Sequence, residues 1–417
     1  MQDDTASTAQ NITITAIKTL DGQPVNLRLS DGQILPVDEP YAGDKVLNAN
    51  GAELLPPIVD SHVRLSEPGN EHRESLTETV ALAAKGGITH ILGLPYTRPS
   101  MDRPSALYAT KNRLAGAIGA KVIPVASLFN ETGEMAELSL LKDAGAVAFS
   151  EGELSEKDIT RLLRAYTYAT ELDLPIIASA GLKSFGASGM TSGSLATIMG
   201  IPGQPIQAEA FHIEMHLRLA EMTNARIHFP LVTTSEGIEL IRRGKADGVQ
   251  VTAGTAIAYA TVSEISIGDY RTFAKLMPPL RNDTHRLSVV NALKDGTLDT
   301  LCSNHCPVDQ DSKRVPFEMA DTGSVGLESL LSVAFTLEGH GISRSRILEL
   351  LSPNPCDVFG LDMSDNASFT LFDRNKSWIL DAKTASDRCR NVLYENLPLT
   401  GKNVLTVVNA KIVYKDL

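Results

Sequence analysis

The 417-residue chain contains little cysteine and no long apolar run. Its four cysteines (Cys302, Cys306, Cys356 and Cys389) are too few for a disulfide framework in a chain of this length, so we expect reduced thiols. No uncharged apolar run approaches the roughly 18 residues of a membrane helix. The first ten residues, MQDDTASTAQ, have neither the basic nor the apolar region of a signal peptide. These absences predict a cytoplasmic protein.

An excess of basic residues is also missing. The formal net charge is -12, and there is neither a basic stripe nor a basic amphipathic segment. Nucleic acid and anionic membranes are therefore not expected as partners. A hydrophobic content of 43% is ordinary for a soluble globular enzyme. The length allows one large α/β domain with a smaller companion.

Two of the cysteines, Cys302 and Cys306, lie on either side of His305 and raise the question of a zinc site. A structural zinc site needs four ligands, and no second cysteine or histidine pair is near in sequence. Burial of these thiols near the end of a strand is the simpler interpretation.

Both ends of the chain alternate between apolar and polar residues. Near the N-terminus the alternating segments ITITAI and VNLRL are broken by Asp21-Gly22 and Asp31-Gly32, which are hairpin turn pairs. The segment NVLTVVNAKIVY, residues 403–414, shows the same alternation. We therefore predict one small β domain from residues 1–54 together with 366–417.

The middle of the chain alternates apolar runs with helix-like stretches. Continuous hydrophobicity is typical of parallel strands that are buried on both faces. After the first run, Leu76, Val80 and Ala83 have helical spacing, and Gly86-Gly87 marks the helix end. Eight strand and helix units predict an α/β fold, a (β/α)8 TIM barrel over residues 55–365, with its chemistry at the carboxyl ends of the strands. The eight runs are LLPPIVDSH, ITHILGLPY, KVIPVASL, AVAFSE, LPIIASA, ARIHFPLV, VQVTAGTA and DTLCSNH.

Several motifs, in order from about residue 50 to the C-terminus, resemble those of dihydroorotases in the amidohydrolase superfamily. They are DSHVRLSEPG, AAKGGITHILGLPYTRP, AGAVAFSEG, KLMPPLRND, DGTLDTLCSNHCP, RVPFE, VGLES and SPNP. Dihydroorotases close or open the dihydroorotate ring in pyrimidine synthesis. The resemblance implies a metal-dependent barrel hydrolase with a small β-sandwich formed by both termini.

The same resemblance implies metal ligands at six strand-end positions, and most of them are changed. Only His62 and Glu151 retain side chains that could bind metal as they stand. A catalytic zinc needs about three nitrogen, oxygen or sulfur ligands and an open position for water. The six positions are occupied by His62, Arg64, Glu151, Ser179, Leu231 and Asn304.

Arg64 replaces the second histidine of a His-x-His pair, and its charge opposes a metal. A fixed positive charge about 5 Å from a divalent cation repels it by roughly 7 kcal/mol at an effective dielectric constant near 20. Asn304 replaces the aspartate that serves as general base, and an amide is not a base near neutral pH. We therefore expect no metal or other cofactor, and no catalysis.

The substrate positions implied by the resemblance are changed as well. Ser66 replaces an arginine and Tyr96 replaces an asparagine, the two residues that hold the dihydroorotate carboxylate in the family. Loss of the arginine removes both charge and orientation for a carboxylate. We expect no substrate binding at these positions.

Ordinary structural roles compete with functional ones at each remaining candidate. His62 fits a hydrogen-bonded strand-end histidine, and Glu151 fits a hydrogen-bonded carboxylate. Arg64 either points to solvent or pairs with Glu151. His212 and His216 are four residues apart on a probable helix, which suits a metal, but a solvated helix face is favoured because Ile213 follows the first histidine.

Three functions are consistent with these observations. The favoured hypothesis is a catalytically inactive dihydroorotase homologue that assembles with the aspartate carbamoyltransferase catalytic chain and with copies of itself, a role that rests on the resemblance. The second is a divergent cyclic amidohydrolase with zinc on His62 and Glu151, or with a different cyclic amide substrate. The third is a ligand-sensing barrel that uses a pocket around Arg64, Tyr96 and Ser179.

Overall fold

The structure is a computed structural model that describes residues 11–152, 159–178, 189–363, 367–381 and 389–417. Two separate sheets contain its strands. The barrel strands are β6 (Val59–Arg64), β7 (His90–Leu94), β8 (Lys121–Ser127), β9 (Ala148–Ser150), β10 (Ile176–Ile177), β11 (Ile227–Phe229), β12 (Val251–Ala256) and β13 (Thr300–Cys302). The second sheet contains β1 (Ile12–Lys18), β2 (Pro24–Ser30), β3 (Gln33–Val37), β4 (Lys45–Asn48), β5 (Glu53–Leu55), β14 (Phe369–Ile379), β15 (Pro398–Val408) and β16 (Lys411–Lys415).

The eight barrel strands are parallel and lie side by side in chain order. Each predicted apolar run supplies one of them. Beyond the paired strands, the parallel bridge between Val63 and His305 joins the first strand to the segment after the last. The barrel prediction is therefore confirmed, and the carboxyl ends of all eight strands meet at one face.

Helices follow most of the strands. The helix α1 shows why the sequence folds locally as it does: Ser75 and Glu78 form a capping box at its start, and Gly86 caps its end, as predicted. The described helices are α1 (Leu76–Lys85), α2 (Pro104–Arg113), α3 (Leu138–Asp143), α4 (Ile159–Glu171), α5 (Ser194–Met199), α6 (Gln207–Thr223), α7 (Ser235–Ala246), α8 (Ile257–Thr261), α9 (Asp283–Asp295), α10 (Gln310–Lys313), α11 (Leu330–Ala334), α12 (Arg344–Leu351) and α13 (Pro353–Phe359). Among them, none combines the length and the apolar character needed to cross a bilayer.

Strands from both ends of the chain form the second, mixed sheet. Its order is β16-β15-β14-β5-β1-β2-β3, and β4 pairs with β1. The turn between β2 and β3 places Asp31 and Gly32 at positive φ, as the predicted Asp-Gly hairpin requires. The domain boundaries at residues 54/55 and 365/366 remain a prediction, and the second of them touches residues outside the described ranges.

The packing at the two ends of the barrel differs. A cluster of buried apolar side chains connects the strands β6, β7, β8, β9 and β10 with the helix α13. In this cluster, Val358 and Phe359 of α13 pack together with residues such as Val59. Apolar packing therefore seals the end of the barrel where α13 lies. The polar side chains considered below lie at the strand ends on the other side.

Substitution of Gly86 by alanine tests the tight packing between α1 and the segment after β13. A Cβ atom at Gly86 would overlap the carbonyl oxygen of Leu327. We expect Gly86→Ala to reduce the free energy of unfolding by about 1–3 kcal/mol, the usual cost of overpacking, in urea titrations. Gly339→Ala is the control because a Cβ there meets nothing within 4 Å. Equal effects of the two substitutions would contradict the packing.

Candidate functional site

The carboxyl ends of the barrel strands hold most of the residues singled out from the sequence. His62 and Arg64 lie at the end of β6, and Glu151 follows β9. Leu231 follows β11 and Asn304 follows β13. Ser179, the predicted position after β10, lies outside the described residues.

His62 is buried near the centre of the strand ends. The pairing between β6 and β7 shifts register between Asp60 and Val63, which places a bulge at this point of the strand. Burial, and then the nearby charges of Arg64 and His228, lower the pKa of His62 to about 3. The imidazole is therefore neutral at pH 7, and its buried Nδ1 has no hydrogen-bond partner among the described residues.

Arg64 stacks on an aromatic ring instead of pairing with Glu151. Its guanidinium carbon lies 3.9 Å from the centre of the Tyr96 ring, and Nη1 lies 3.8 Å from Cys306 Sγ. Glu151 instead faces His216 of α6, with Oε1 3.2 Å from Nδ1. The hypothesis of an internal Arg64–Glu151 pair is therefore replaced by an Arg64–Tyr96 stack.

The other changed positions are integrated into the fold. Leu231 is buried in the main hydrophobic core. Asn304 has a φ of +52° and donates from Nδ2 to the carbonyl oxygen of Met277 at 3.3 Å. Ser66 is also buried. His228, three residues before Leu231, places Nδ1 2.9 Å from the Thr252 hydroxyl. These contacts show how the substituted residues are accommodated at the strand ends.

A second group of candidate ligands joins one strand end to a helix. Glu151 after β9, together with His212 and His216 of α6, brings one potential ligand atom per residue within 4.8 Å of one another. All three side chains are buried. The predicted solvated face for the two histidines is wrong, because this face of α6 packs against the barrel. The spacing of four residues was the available signal, but it fits a buried amphipathic helix equally well.

The hydroxyl of Tyr166, on α4, organises this group. It lies 2.6 Å from Nδ1 of His216 and also forms a hydrogen bond with Glu151. Burial raises the pKa of Tyr166 well above its usual value, and the neighbouring Glu151 adds to this effect. With Glu151 as the acceptor of the Tyr166 hydroxyl proton, Tyr166 in turn accepts from Nδ1–H. Nε2 of His216 then keeps its lone pair, and this buried atom has no hydrogen-bond partner among the described residues.

Glu209 fixes the position of α6 and hence of the two histidines. Its carboxylate accepts from the backbone N–H groups of Thr233 and Thr234, both at 2.9 Å, and from both threonine hydroxyls. Arg281 Nη2 approaches the same carboxylate at 3.5 Å. Gly237 permits the approach because a Cβ there would meet Glu209 Oε1 at 2.6 Å. A helix held so tightly presents its histidines in one orientation.

A cavity of about 360 Å³ adjoins this group at the strand ends. Its lining includes Tyr96, Ser127, Glu131 and Glu151, with the exposed Arg98 at its edge. Glu151 belongs both to the cavity wall and to the cluster with the two histidines. The cavity therefore gives a small molecule access to that carboxylate.

The two groups differ in how well they fit a divalent metal ion. The strand-end set does not fit, since Arg64 carries a fixed positive charge and Leu231 has no donor atom. Glu151, His212 and His216 do fit: they offer a carboxylate and two imidazoles, which are zinc ligands. Burial, followed by the charge of His212, lowers the pKa of His216 well below its usual value, so this ring is in the neutral form that binds metals.

Sequence comparisons with known proteins place the chain in one family, and a structural comparison supports its fold. A family model described as dihydro-orotase-like matches residues 51–237. A dihydroorotase of Desulforapulum autotrophicum is 34% identical over 403 residues, which cover 94% of this chain and 95% of the relative. One from Syntrophus aciditrophicus is 32% identical over 412 residues, 96% of each chain. The L-hydantoinase of Arthrobacter aurescens, 21% identical, has a TM-score of 0.82 over 97% of this chain and 96% of that chain, which supports the fold.

These comparisons correct two predictions. The prediction that the chain is not an enzyme is wrong, because relatives 32–34% identical along nearly the whole chain are dihydroorotases. The prediction of no cofactor is wrong as well, because the resemblance implies metal-dependent hydrolases and a buried cluster of suitable donors is present. Both errors arose because the altered strand-end positions were taken as the whole site, and His212 and His216 were assigned to a solvated helix face.

Asp60 provides a test of the electrostatics beneath the strand ends. Its Oδ1 accepts from the backbone N–H groups of His62 at 3.3 Å and Ser303 at 3.2 Å, yet burial raises its pKa from 3.8 to about 6. Asp60→Asn keeps the acceptor and removes the charge. The pKa of Asp60 is higher in the folded state than in the unfolded state. Ionisation of Asp60 therefore lowers the free energy of unfolding, by an amount that grows between about pH 4 and pH 6 and stays constant at higher pH.

We therefore expect Asp60→Asn to gain stability relative to wild type as the pH rises from about 4 to about 7.5. The gain should be on the order of 3 kcal/mol, measured by urea unfolding at both values. Asp143→Asn, which removes an exposed carboxylate on α3, is the control for a lost surface charge. A difference between Asp60→Asn and wild type that is the same at both pH values would contradict the burial of an ionisable group.

Proposed function

The chain belongs to the dihydroorotase family of the amidohydrolase superfamily, and we propose that it is a divergent metal-dependent cyclic amidohydrolase with an unusual metal site. The observation that carries the proposal is the convergence of Glu151, His212 and His216 within 4.8 Å in a buried position. The substrate class is a cyclic amide, as the names of the dihydroorotase and hydantoinase relatives suggest. Zinc is the metal that this donor set suits best.

In this proposal the residues of the chain have distinct tasks. Glu151, His212 and His216 would hold the ion, which when bound polarises an amide carbonyl and lowers the pKa of water. Tyr166 holds a proton between Glu151 and Nδ1 of His216, which fixes the orientation of that ring. The cavity beside Tyr96 would take the ring of the substrate and separate it from bulk water.

Substitution of a single histidine tests the metal site. We expect wild-type protein to bind Zn²⁺ or Co²⁺ in calorimetric titrations and to open a dihydroorotate or hydantoin ring, with activity lost on chelation. His216→Gln should weaken metal binding at least about 100-fold, because it removes a buried imidazole ligand.

The matched control is Glu214→Gln, on the same helix but with 41% of its side chain exposed and paired with Arg218. It should bind metal as wild type does. Wild-type protein that binds neither ion, or His216→Gln that binds as tightly as wild type, would refute the metal site.

We also propose that this cytoplasmic chain assembles with the aspartate carbamoyltransferase catalytic chain and with copies of itself. The partner comes from the family resemblance. A structural observation that favours assembly is the exposure of large apolar side chains on α5 and α6: Ile198 is 82%, Phe211 62% and Met222 69% exposed. Phe211 and Met222 are three helical turns apart, so they share one face of α6. These exposed apolar side chains flank the Glu214–Arg218 ion pair on α6, a mixed apolar and charged composition that suits the rim of a protein interface.

Light scattering after size-exclusion chromatography tests the assembly. We expect co-elution of this chain with the carbamoyltransferase chain at a mass above that of either alone. The double variant Phe211→Ser with Met222→Ser should abolish it by removing apolar contact area, whereas Tyr108→Ser, at an exposed aromatic residue of α2, should not. Separate elution of the wild-type chains at all concentrations would refute the partnership.

A further inference from the structure

Three hydroxyl groups in the wall of the cavity beside Tyr96 already use their protons within the protein. Each donates to a nearby backbone carbonyl oxygen: Thr97 to that of Pro99 at 2.9 Å, Ser100 to that of Pro95 at 3.0 Å, and Ser127 to that of Phe129 at 2.7 Å. A hydroxyl group has one proton and two acceptor lone pairs. Each of these oxygens can therefore accept a further hydrogen bond from a ligand but cannot donate one.

The side-chain amide of Asn130 adds a donor to the same wall. Its Oδ1 accepts from the backbone N–H groups of Thr132 and Glu134, at 3.0 and 2.9 Å, and from the Thr132 hydroxyl at 2.7 Å. These three bonds hold the plane of the amide in one orientation. The N–H groups of the amide lie on the other terminal atom and remain donors. The wall therefore combines fixed oxygen acceptors with a fixed amide donor.

The charges in the described part of the wall do not favour an anion. Glu131 and Glu151 both line the cavity, whereas Arg98 is exposed at its edge. A metal ion on Glu151 would offset the charge of that carboxylate, but Glu131 would keep its own. A ligand carboxylate placed among the hydroxyl oxygens would lose water without gaining donors, which is unfavourable for a desolvated charge.

Arg64 does not belong to the wall of this cavity. Its guanidinium forms hydrogen bonds with Cys306 and Tyr96 and stacks on the ring of Tyr96. The position where the family resemblance implies an arginine is the buried Ser66. Neither position therefore offers a guanidinium to a ligand in the cavity.

We propose that the cavity recognises the N–H groups of a neutral cyclic ureide and excludes rings that carry a carboxylate. The hydroxyl oxygens of Thr97, Ser100 and Ser127 accept from ring N–H groups, and the amide of Asn130 donates to a ring carbonyl. A ureide ring offers both kinds of group without a formal charge. The inference rests on the proposed function, whose cyclic amide substrate it narrows to neutral rings, and it assigns that specificity to the three hydroxyl groups.

Three pyrimidine rings that differ by one feature at a time test this specificity. Uracil is neutral and has two N–H groups, orotate adds one carboxylate, and 1,3-dimethyluracil lacks both N–H groups. Calorimetric titrations of the full chain measure binding alone, because these conjugated rings resist hydrolysis. We expect uracil to bind at least about tenfold more tightly than either of the others, since orotate brings an unpaired charge and 1,3-dimethyluracil leaves the hydroxyl oxygens without donors.

Substitution of the hydroxyl groups tests their role directly. Ser127→Ala and Ser100→Ala should each weaken uracil binding several-fold, the usual effect of one lost hydrogen bond. Ser105→Ala is the matched control, because Ser105 is exposed on α2 and lies outside the cavity wall. Ser100 is less buried than Ser127, so Ser100→Ala keeps the test open if Ser127→Ala does not fold.

Substitution of Glu131 tests the contribution of charge. Glu131→Gln should reduce the discrimination against orotate, because it removes a negative charge from the wall. Glu137→Gln removes an exposed carboxylate just before α3, outside the wall, and should leave the discrimination as in wild type.

Four results would overturn the inference: orotate that binds as tightly as uracil, 1,3-dimethyluracil that does so, no binding of uracil, or uracil affinity that is unchanged in both serine variants. Failure of the hydrolase proposal gives a different result. Protein that prefers uracil but opens no cyclic amide ring would keep the specificity and lose the enzymatic role. Ring opening without any preference among the three pyrimidines would do the reverse.

Discussion

The buried contacts of His305 are the constraint on which the strand-end geometry depends. Its carbonyl oxygen accepts from the N–H of Arg64, and its backbone bridges Val63. Nδ1 accepts from the N–H of Gly326, so Nε2 carries the proton and donates to Glu74 at 2.8 Å. Both side chains are fully buried, so loss of either leaves the other without this hydrogen-bond partner. Barrel closure and the position of Arg64 therefore depend on one residue, whose backbone makes these contacts and whose side chain is held by Glu74 and Gly326.

The candidate site has two parts that the fold positions by different means. Arg64 and Tyr96 are placed by the ends of β6 and β7, and so by the hydrogen bonds between neighbouring strands. The histidines of α6 are placed by a helix whose position is set through Glu209. Glu151 is the residue where the two parts meet. One strand end thus provides a guanidinium, and the helix provides two imidazoles.

Much of the fold could be predicted from the sequence, because burial on both faces of a parallel strand leaves a continuous apolar run. The Ser75 cap and the Asp31-Gly32 turn are likewise local properties of the chain. The site could not be predicted in the same way. Whether His216 faces solvent or the barrel depends on the rotation of α6, which is set by contacts with residues far along the sequence. Similarly, the stacking of Arg64 on Tyr96 joins two strands and has no local signature.

The positive charge at the end of β6 is part of the polypeptide, which distinguishes it from a bound ion. A metal at that position would exchange with its surroundings, would be lost to chelators and would compete with protons for its ligands. A guanidinium does none of these, since it stays protonated at every pH at which a protein is folded. The charge at the end of β6 is therefore independent of the metal content of the cell, whereas the charge at the cluster of Glu151, His212 and His216 would depend on it.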